Sequence, residues 1–557
     1  MKSFLKTTFV LLFVASFAFS CENSHDALVD ERLEDNPIPD TSVSADPGSA
    51  DFSNYVAIGN SLTAGFMDAA LYNDGQENAL PALLAQQLQF AGAPETFNQP
   101  DINSELGFNT SVDPNPQDGT VLGRYKLDTS IPGPSPTIGG DPIEAYSGSA
   151  SDLNNFGVPG IFVGQLLTSG TGGPQSDPAF NPFYARFASS PGSSTILGDA
   201  IQAGPSFFTL WIGNNDVLGY AISGASNPTL LNSQADFDTQ FNTVINQLMN
   251  NTTADGVVAN IPNILAVPFF QAIPYNAISL SAEEAQQLNQ NFGAVNQALD
   301  AVAANFPNHS QEEMNARKVN YQEGTNPILA NDPTLDDLED EFDQLEESEA
   351  ISSQQRQALV PYEQSRPLIQ SELVTFSAGA VLGTEANPQS DSPTTIGVVV
   401  PLGLNSAAAG DEFYLTIQEQ TEIETRRAAF NSTIATAVSQ NSDRLALFDT
   451  NASDGAFADL FGTDGEPGIR IEGTLLQPDF SPNGVFSTDG IHPNQRGNAI
   501  LANEFIRVIE ENFGATIPDV DVLNLPSVQL CAGNCASQQQ QEKQLLGNIN
   551  YGTSTIN

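Results

Sequence analysis

Short apolar runs, each closing on a glycine or a polar turn and separated by helical patterning, leave this chain very few folds. The runs are Tyr55–Ile58, the centre of Ser206–Asp216, Asn263–Phe270 and Arg444–Asp449. Unbroken runs of this length read as strands buried on both faces. Between them Leu80–Gly92, Phe237–Met249, Ser281–Asn305 and Glu412–Gln440 carry apolar residues at helical spacing, and Asn494–Asn512 closes the pattern. Strand and helix in this alternation specify a central parallel sheet covered by helices, an α/β fold.

The rhythm breaks after Asn305. Residues 306–404 read as an insertion into a domain made of residues 54–305 and 405–525. Within the insertion, the acidic run Asp332–Glu349 invites calcium, but it lacks the alternating Asp/Asn and central glycine of a calcium loop. It reads as a solvated helix face. Ser371–Gly383 and Thr395–Val400 are expected to add strands or packing there. Ala93–Gly148, full of Pro, Gly, Asn and Asp, reads as long irregular structure at a rim or lid. Leu153–Leu167 carries a turn at Gly157–Gly160 and then a helical pattern.

The two ends carry their own signals. Lys2 and Lys6, the apolar stretch Thr8–Phe19 and a small residue before Cys21 form a secretory signal over residues 1–20. Ala18-Phe19-Ser20-Cys21 resembles a bacterial lipobox, with Phe19 in place of the usual small or aliphatic residue. The resemblance implies a lipid on Cys21 and a place in the bacterial cell envelope, as an outer-membrane lipoprotein facing either side. Residues 21–53, rich in Asp, Pro and Ser, read as a flexible tether. No other stretch is long and apolar enough to span a bilayer. The tail, residues 526–557, is polar, and Cys531 and Cys535 are placed to close a small disulfide loop in an oxidising compartment.

Charge excludes some partners. With 67 acidic against 17 basic side chains the net charge is −50. Such a surface repels nucleic acid and anionic head groups.

Histidine is scarce: only His25, His309 and His492 are available to a mechanism that needs an imidazole base. That scarcity also argues against a multi-histidine metal site. His25 falls in the tether and His309 at the start of the insertion. His492 stands before the closing helix, three residues after Asp489, within reach of a carboxylate–imidazole hydrogen bond. A serine, Ser61, sits two residues past the end of the first strand, on the rim where open α/β sheets place their ligands. A serine hydroxyl acts as a nucleophile only with a base to take its proton, a group to orient that base, and donors for the developing oxyanion.

Four blocks supply those parts in order: GNSL (Gly59–Leu62), N-x-x-x-x-G (Asn155–Gly160), G-x-N-D (Gly213–Asp216) and D-x-x-H-P (Asp489–Pro493). The set resembles the SGNH hydrolase family, also called the GDSL esterase/lipase family. The resemblance covers roughly residues 54–274 and 412–513. It implies a flavodoxin-like three-layer α/β/α sandwich. It also implies Ser61 as nucleophile, His492 as general base and Asp489 as orienting carboxylate. The oxyanion hole would be the Ser61 and Gly160 N–H groups and the Asn215 amide; Gly157 is the alternative to Gly160, which the five-residue offset from Asn155 favours. One departure is Asn60, where the family has Asp before the nucleophile.

The expected activity is hydrolysis of a carboxylic ester through an acyl-serine, by a monomer acting on a small-molecule, glycan or lipid ester, with no cofactor and no metal. A lipase should surround Ser61 with apolar surface, and a carbohydrate esterase with a polar groove and an aromatic platform. A thioesterase fits an extracytoplasmic location less well. The contrasting reading is a non-catalytic lipoprotein that binds a glycan or partner through its insertion. Trp211, Phe207 and Phe208 are expected in the core; Phe66 is a candidate to touch an acyl group.

Overall fold

The run at Tyr55 forms strand β1 (Tyr55–Gly59). Four more strands join it in one sheet: β2 (Asn155–Gly157), β3 (Phe207–Trp211), β4 (Asp255–Ala259) and β5 (Leu445–Phe448). The computed structural model describes residues 44–536 except 112–120, 129–132, 388–389, 391–393, 405–412, 463–466 and 534. The signal peptide, Cys21, His25 and residues 537–557 therefore lie outside the described residues. The sheet order is β2-β1-β3-β4-β5, with every pairing parallel. This is the doubly wound, flavodoxin-like order, in which the winding reverses between β1 and β3. The expected α/β/α class is borne out.

Side-chain alternation along the strands sets the layers. Val56 and Ile58 of β1, Phe208 and Leu210 of β3 and Val258 of β4 point into one core. Tyr55, Ala57, Phe207, Trp211, Val257 and Ala259 point into the other. Around the sheet run α1 (Ser61–Ala64), α2 (Leu80–Leu88), α3 (Asn215–Ile222), α4 (Gln234–Asn251), α5 (Ile417–Ser439) and α6 (Gln495–Phe513). The first core is closed by Phe237, Phe241 and Leu248 of α4 and Phe430 of α5, with the Phe237 and Phe430 rings stacked 3.9 Å apart. The second is closed by Leu80, Leu84 and Leu88 of α2 and Phe505, Ile506 and Ile509 of α6. Both faces are covered, which is why the strands read as continuous apolar runs.

Three expectations need correction. The fourth strand is Asp255–Ala259, not Asn263–Phe270, which folds instead as a 3-10 turn (Ile264–Ala266) and a short helix (Pro268–Gln271). Pro262 immediately precedes that run and Pro268 falls within it. Proline has no N–H for a central ladder, and at the first helical position its fixed φ favours a helix.

The second correction concerns the insertion. Its core gathers residues from Ile278 to Tyr414, including Phe292, Val295, Leu299 and Val302 of the helix Ala282–Asn305. That helix packs on Met314, Leu338 and Phe342 rather than on the main sheet. Amphipathic spacing shows that a helix buries one face but not against what. The acidic run does form an amphipathic helix, Glu339–Glu347, burying Phe342 and Leu345.

The third correction concerns both ends of the folded body. Asp46 pairs with Thr516 by backbone hydrogen bonds, and Phe52 is buried in the second core, so the expected tether already joins the body there. Leu530 and Cys535 bridge the hairpin formed by Leu122–Asp128 and Gly133–Ile138, which lies inside the stretch expected to be irregular. Cys531 and Cys535 are joined as a disulfide.

Candidate active site

The site forms where the winding reverses, because the loops leaving β1 and β3 part there and open a crevice. At the end of β1 the Asn60 side chain caps α1, accepting the Leu62 N–H at 3.1 Å. Ser61 is thus the first helical residue, and its N–H has no helical partner. Asn60 also donates from Nδ2 to Asn214 Oδ1 at 3.3 Å, tying the serine turn to the loop after β3. A carboxylate could accept the first bond but not donate the second.

The second block is fitted tightly beneath this turn. Asn155 donates to the Thr63 carbonyl at 2.9 Å and accepts the Gly157 N–H at 2.8 Å. A Cβ on Gly157 would lie 2.3 Å from the Ala64 nitrogen, so only glycine permits the approach. The Gly157 N–H is thereby used. Gly160, in the left-handed region at φ +78°, keeps an N–H with no partner within the chain among the described residues.

Ser61, His492 and Asp489 come together although 431 positions separate serine and histidine. Ser61 Oγ lies 2.9 Å from His492 Nε2, and His492 Nδ1 lies 2.9 Å from Asp489 Oδ2. A carboxylate only accepts, so Nδ1 carries the proton and Nε2 offers its lone pair to the serine hydroxyl. Burial works against charge on Asp489. The His492 charge and ring N–H, and the backbone N–H groups of His492 and Ile491, outweigh it and hold the carboxyl down at about 2. The other histidine inside the described residues, His309, is buried in the insertion against Glu341.

A further support was not legible in the motifs. Asp489 Oδ2 also accepts the Ala69 N–H at 3.0 Å. Asp68 and Ala69 both sit at positive φ, 54° and 60°, a conformation costing non-glycine residues roughly 1–2 kcal/mol each. Asp68 holds the turn. Its Oδ1 accepts the Thr488 N–H at 2.9 Å and hydroxyl at 2.6 Å, and its Oδ2 accepts the Tyr72 hydroxyl at 2.8 Å. Arg124 Nη1 stands 3.6 Å from Asp68 Oδ2, with its guanidinium 4.0 Å over the Tyr72 ring. No spacing rule links Asp68 to Asp489; only the near-strand turn chemistry could have hinted at it.

On the opposite side of Ser61, Asn215 opens α3. Its Nδ2 donates to the Ile161 carbonyl at 2.9 Å, leaving the second amide hydrogen unassigned, and this bond sets the Gly160–Ile161 turn beside it. Asp216, fully buried, accepts the Val163 N–H at 3.0 Å and the Asn232 amide at 2.7 Å, so it joins the second block to the third. Burial pushes its carboxyl up to about 7, against those donors. A folded value above the ordinary one means the unfolded chain releases its proton first, so stability falls as pH rises between the two. Relative to wild type, Asp216→Asn should therefore gain a few kcal/mol as pH goes from about 4 to about 7. Urea unfolding of both proteins at the two ends of that range measures this; a pH-independent difference contradicts it.

The crevice at Ser61 and His492 is walled by Leu218, Ile264, Val267, Phe457, Leu460, Phe461, Phe486, Ile491, Ile500 and Leu501, with Asn215 at its polar edge. Phe66 does not line it. It is buried and packs edge-on against the His492 ring, centroids 5.1 Å apart. Trp211 is a core residue as expected, donating to the Asn260 carbonyl at 3.1 Å, and one side of it also floors the crevice. Phe207 and Phe208 are fully buried.

A hydroxyl, an imidazole and a carboxylate in series at the switch point of a doubly wound sheet define the class, a hydrolase scaffold of the Ser-His-Asp type. The family model described as GDSL-like Lipase/Acylhydrolase matches residues 55–505, and the chain belongs to this family. Comparisons with curated proteins and with solved structures give no match.

Proposed function

We propose that the protein is a serine hydrolase cleaving carboxylic esters with an extended apolar acyl group. The observation that carries this reading is the imidazole of His492, held 2.9 Å from both Ser61 Oγ and Asp489 Oδ2. His492 Nε2 takes the serine proton as Oγ attacks the ester carbonyl carbon. The Ser61 and Gly160 N–H groups and the Asn215 amide receive the oxyanion. His492 then returns the proton to the leaving alcohol, and water attacks the acyl-serine by the same route in reverse. Asp489 stabilises the imidazolium without taking its proton, in keeping with a carboxyl held low.

The apolar walls favour a lipid-like acyl group over an acetylated sugar, since they offer few partners for hydroxyls. Each methylene buried there contributes about 0.8 kcal/mol, so kcat/KM should rise roughly fourfold per carbon until the crevice is filled. A panel of chromogenic esters from acetyl to decanoyl, run beside acetylated sugars, tests this. A preference for acetyl esters, with longer chains rejected, would overturn the acyl-chain reading. The intact Ser61–His492–Asp489 series weighs against the non-catalytic alternative, which would leave these groups without use.

A further inference from the structure

A second constellation lies in the insertion, outside the hydrolase site. His309 immediately precedes the Ser310 cap of the helix Gln311–Arg317, and its side chain is 2% exposed. Its Nε2 lies 3.0 Å from Glu341 Oε1, so that nitrogen carries a proton and donates it to the carboxylate. The other ring nitrogen, Nδ1, is shut off from solvent and has no hydrogen-bond partner among the described residues. It faces Glu313 Oε2 at 3.7 Å, beyond hydrogen-bond range. Arg317 holds the second Glu313 oxygen at 2.8 Å, which turns Oε2 toward the histidine. Asp336, exposed on the loop before the helix Glu339–Glu347, completes a group whose ligand atoms all lie within 4.8 Å of one another.

A buried lone pair 3.7 Å from the Glu313 carboxylate, with the Asp336 carboxylate close by, is repelled unless a proton or a cation lies between them. We propose that His309 Nδ1, Glu313 and Asp336 bind a divalent transition cation of the zinc type, with water completing its shell. Metal–nitrogen and metal–oxygen bonds of about 2.0–2.2 Å around one ion bring ligand atoms to roughly 3.3–3.6 Å, close to the Nδ1–Oε2 separation. The donated Nε2–H on Glu341 is the carboxylate–histidine support that orients a metal-binding imidazole. One nitrogen with two carboxylates suits zinc better than calcium or magnesium, which take all-oxygen shells. The ion would pin the start of the helix Gln311–Arg317 to the loop carrying Asp336, beside the Arg317 Nη1 donor that already reaches the Asp336 carbonyl at 2.9 Å.

The test uses the full folded chain, stripped with a chelator and titrated calorimetrically with Zn²⁺, and in parallel with Ca²⁺ and Mg²⁺. One equivalent of Zn²⁺ should bind and raise Tm by several degrees, while Ca²⁺ and Mg²⁺ bind at least tenfold more weakly. Asp336→Asn, exposed and harmless to packing, and His309→Gln should each weaken Zn²⁺ binding by at least tenfold. Ser61→Ala and His492→Ala should bind it as wild type does, which separates this site from the hydrolase centre. No uptake by wild type, uptake that survives Asp336→Asn, or uptake lost in His492→Ala instead would each overturn the proposal.

Discussion

Replacing Ser61 by alanine is expected to lower kcat/KM toward a good acyl ester by on the order of 10⁵–10⁶, and His492→Ala by nearly as much. Serine and histidine act as one unit: the hydroxyl is inert without a base 2.9 Å away, and the base has nothing to activate without the hydroxyl. The double variant should therefore be no worse than either single one. Asp489→Asn should cost less, about 10⁴, because it leaves the ring in place but removes the acceptor that fixes its tautomer. The folded state should survive Ser61→Ala, since the oxygen removed holds no core contact. Purified variants assayed on the best ester of the panel decide the matter. A Ser61→Ala protein retaining a tenth of wild-type activity would end the acyl-serine mechanism.

The second large effect concerns a residue that touches no substrate. Asp68→Ala is expected to destabilise the protein by about 3–5 kcal/mol and to depress kcat as well. The carboxyl is buried and its own burial raises its pKa, opposed by Arg124 and the Thr488 donors. Removing it leaves the Arg124 guanidinium, 6% exposed, without its counter-charge, and strands the Thr488 N–H, the Thr488 hydroxyl and the Tyr72 hydroxyl. The left-handed turn at Asp68-Ala69 then loses its anchor, and with it the Ala69 N–H that helps hold Asp489. Denaturant unfolding reads the first effect. For the second, kcat should fall more than KM rises, since the defect lies in positioning the imidazole rather than in the crevice. Unchanged stability would show that the network is dispensable.

The physical legibility of the chain was uneven. The sheet was readable because a strand buried on both faces must be apolar throughout, and the runs at Tyr55, Phe207 and Leu445 satisfy that. The same rule fails at Asn263–Phe270, where Ile264 and Val267 line the crevice, Leu265, Phe269 and Phe270 pack into the first core, and Pro268 bars a ladder. The helix Ala282–Asn305 was recognisable by period but was given to the wrong core.

Sequence alone determined that an α/β sheet would form, that a serine would stand at the rim after β1, and that His492 was the one imidazole suited to reach it. Those conclusions follow from local rules, periodicity and residue scarcity, which need no knowledge of distant neighbours. Tertiary structure alone decided which glycine keeps a free N–H, that the strained Asp68-Ala69 turn braces Asp489, that apolar walls surround Ser61, and that His309 Nδ1 faces Glu313 with Asp336 close by. Apart from the Gly157 N–H, taken by Asn155 two residues away, these depend on atoms brought together from segments tens to hundreds of residues apart, and no one-dimensional pattern records such a meeting.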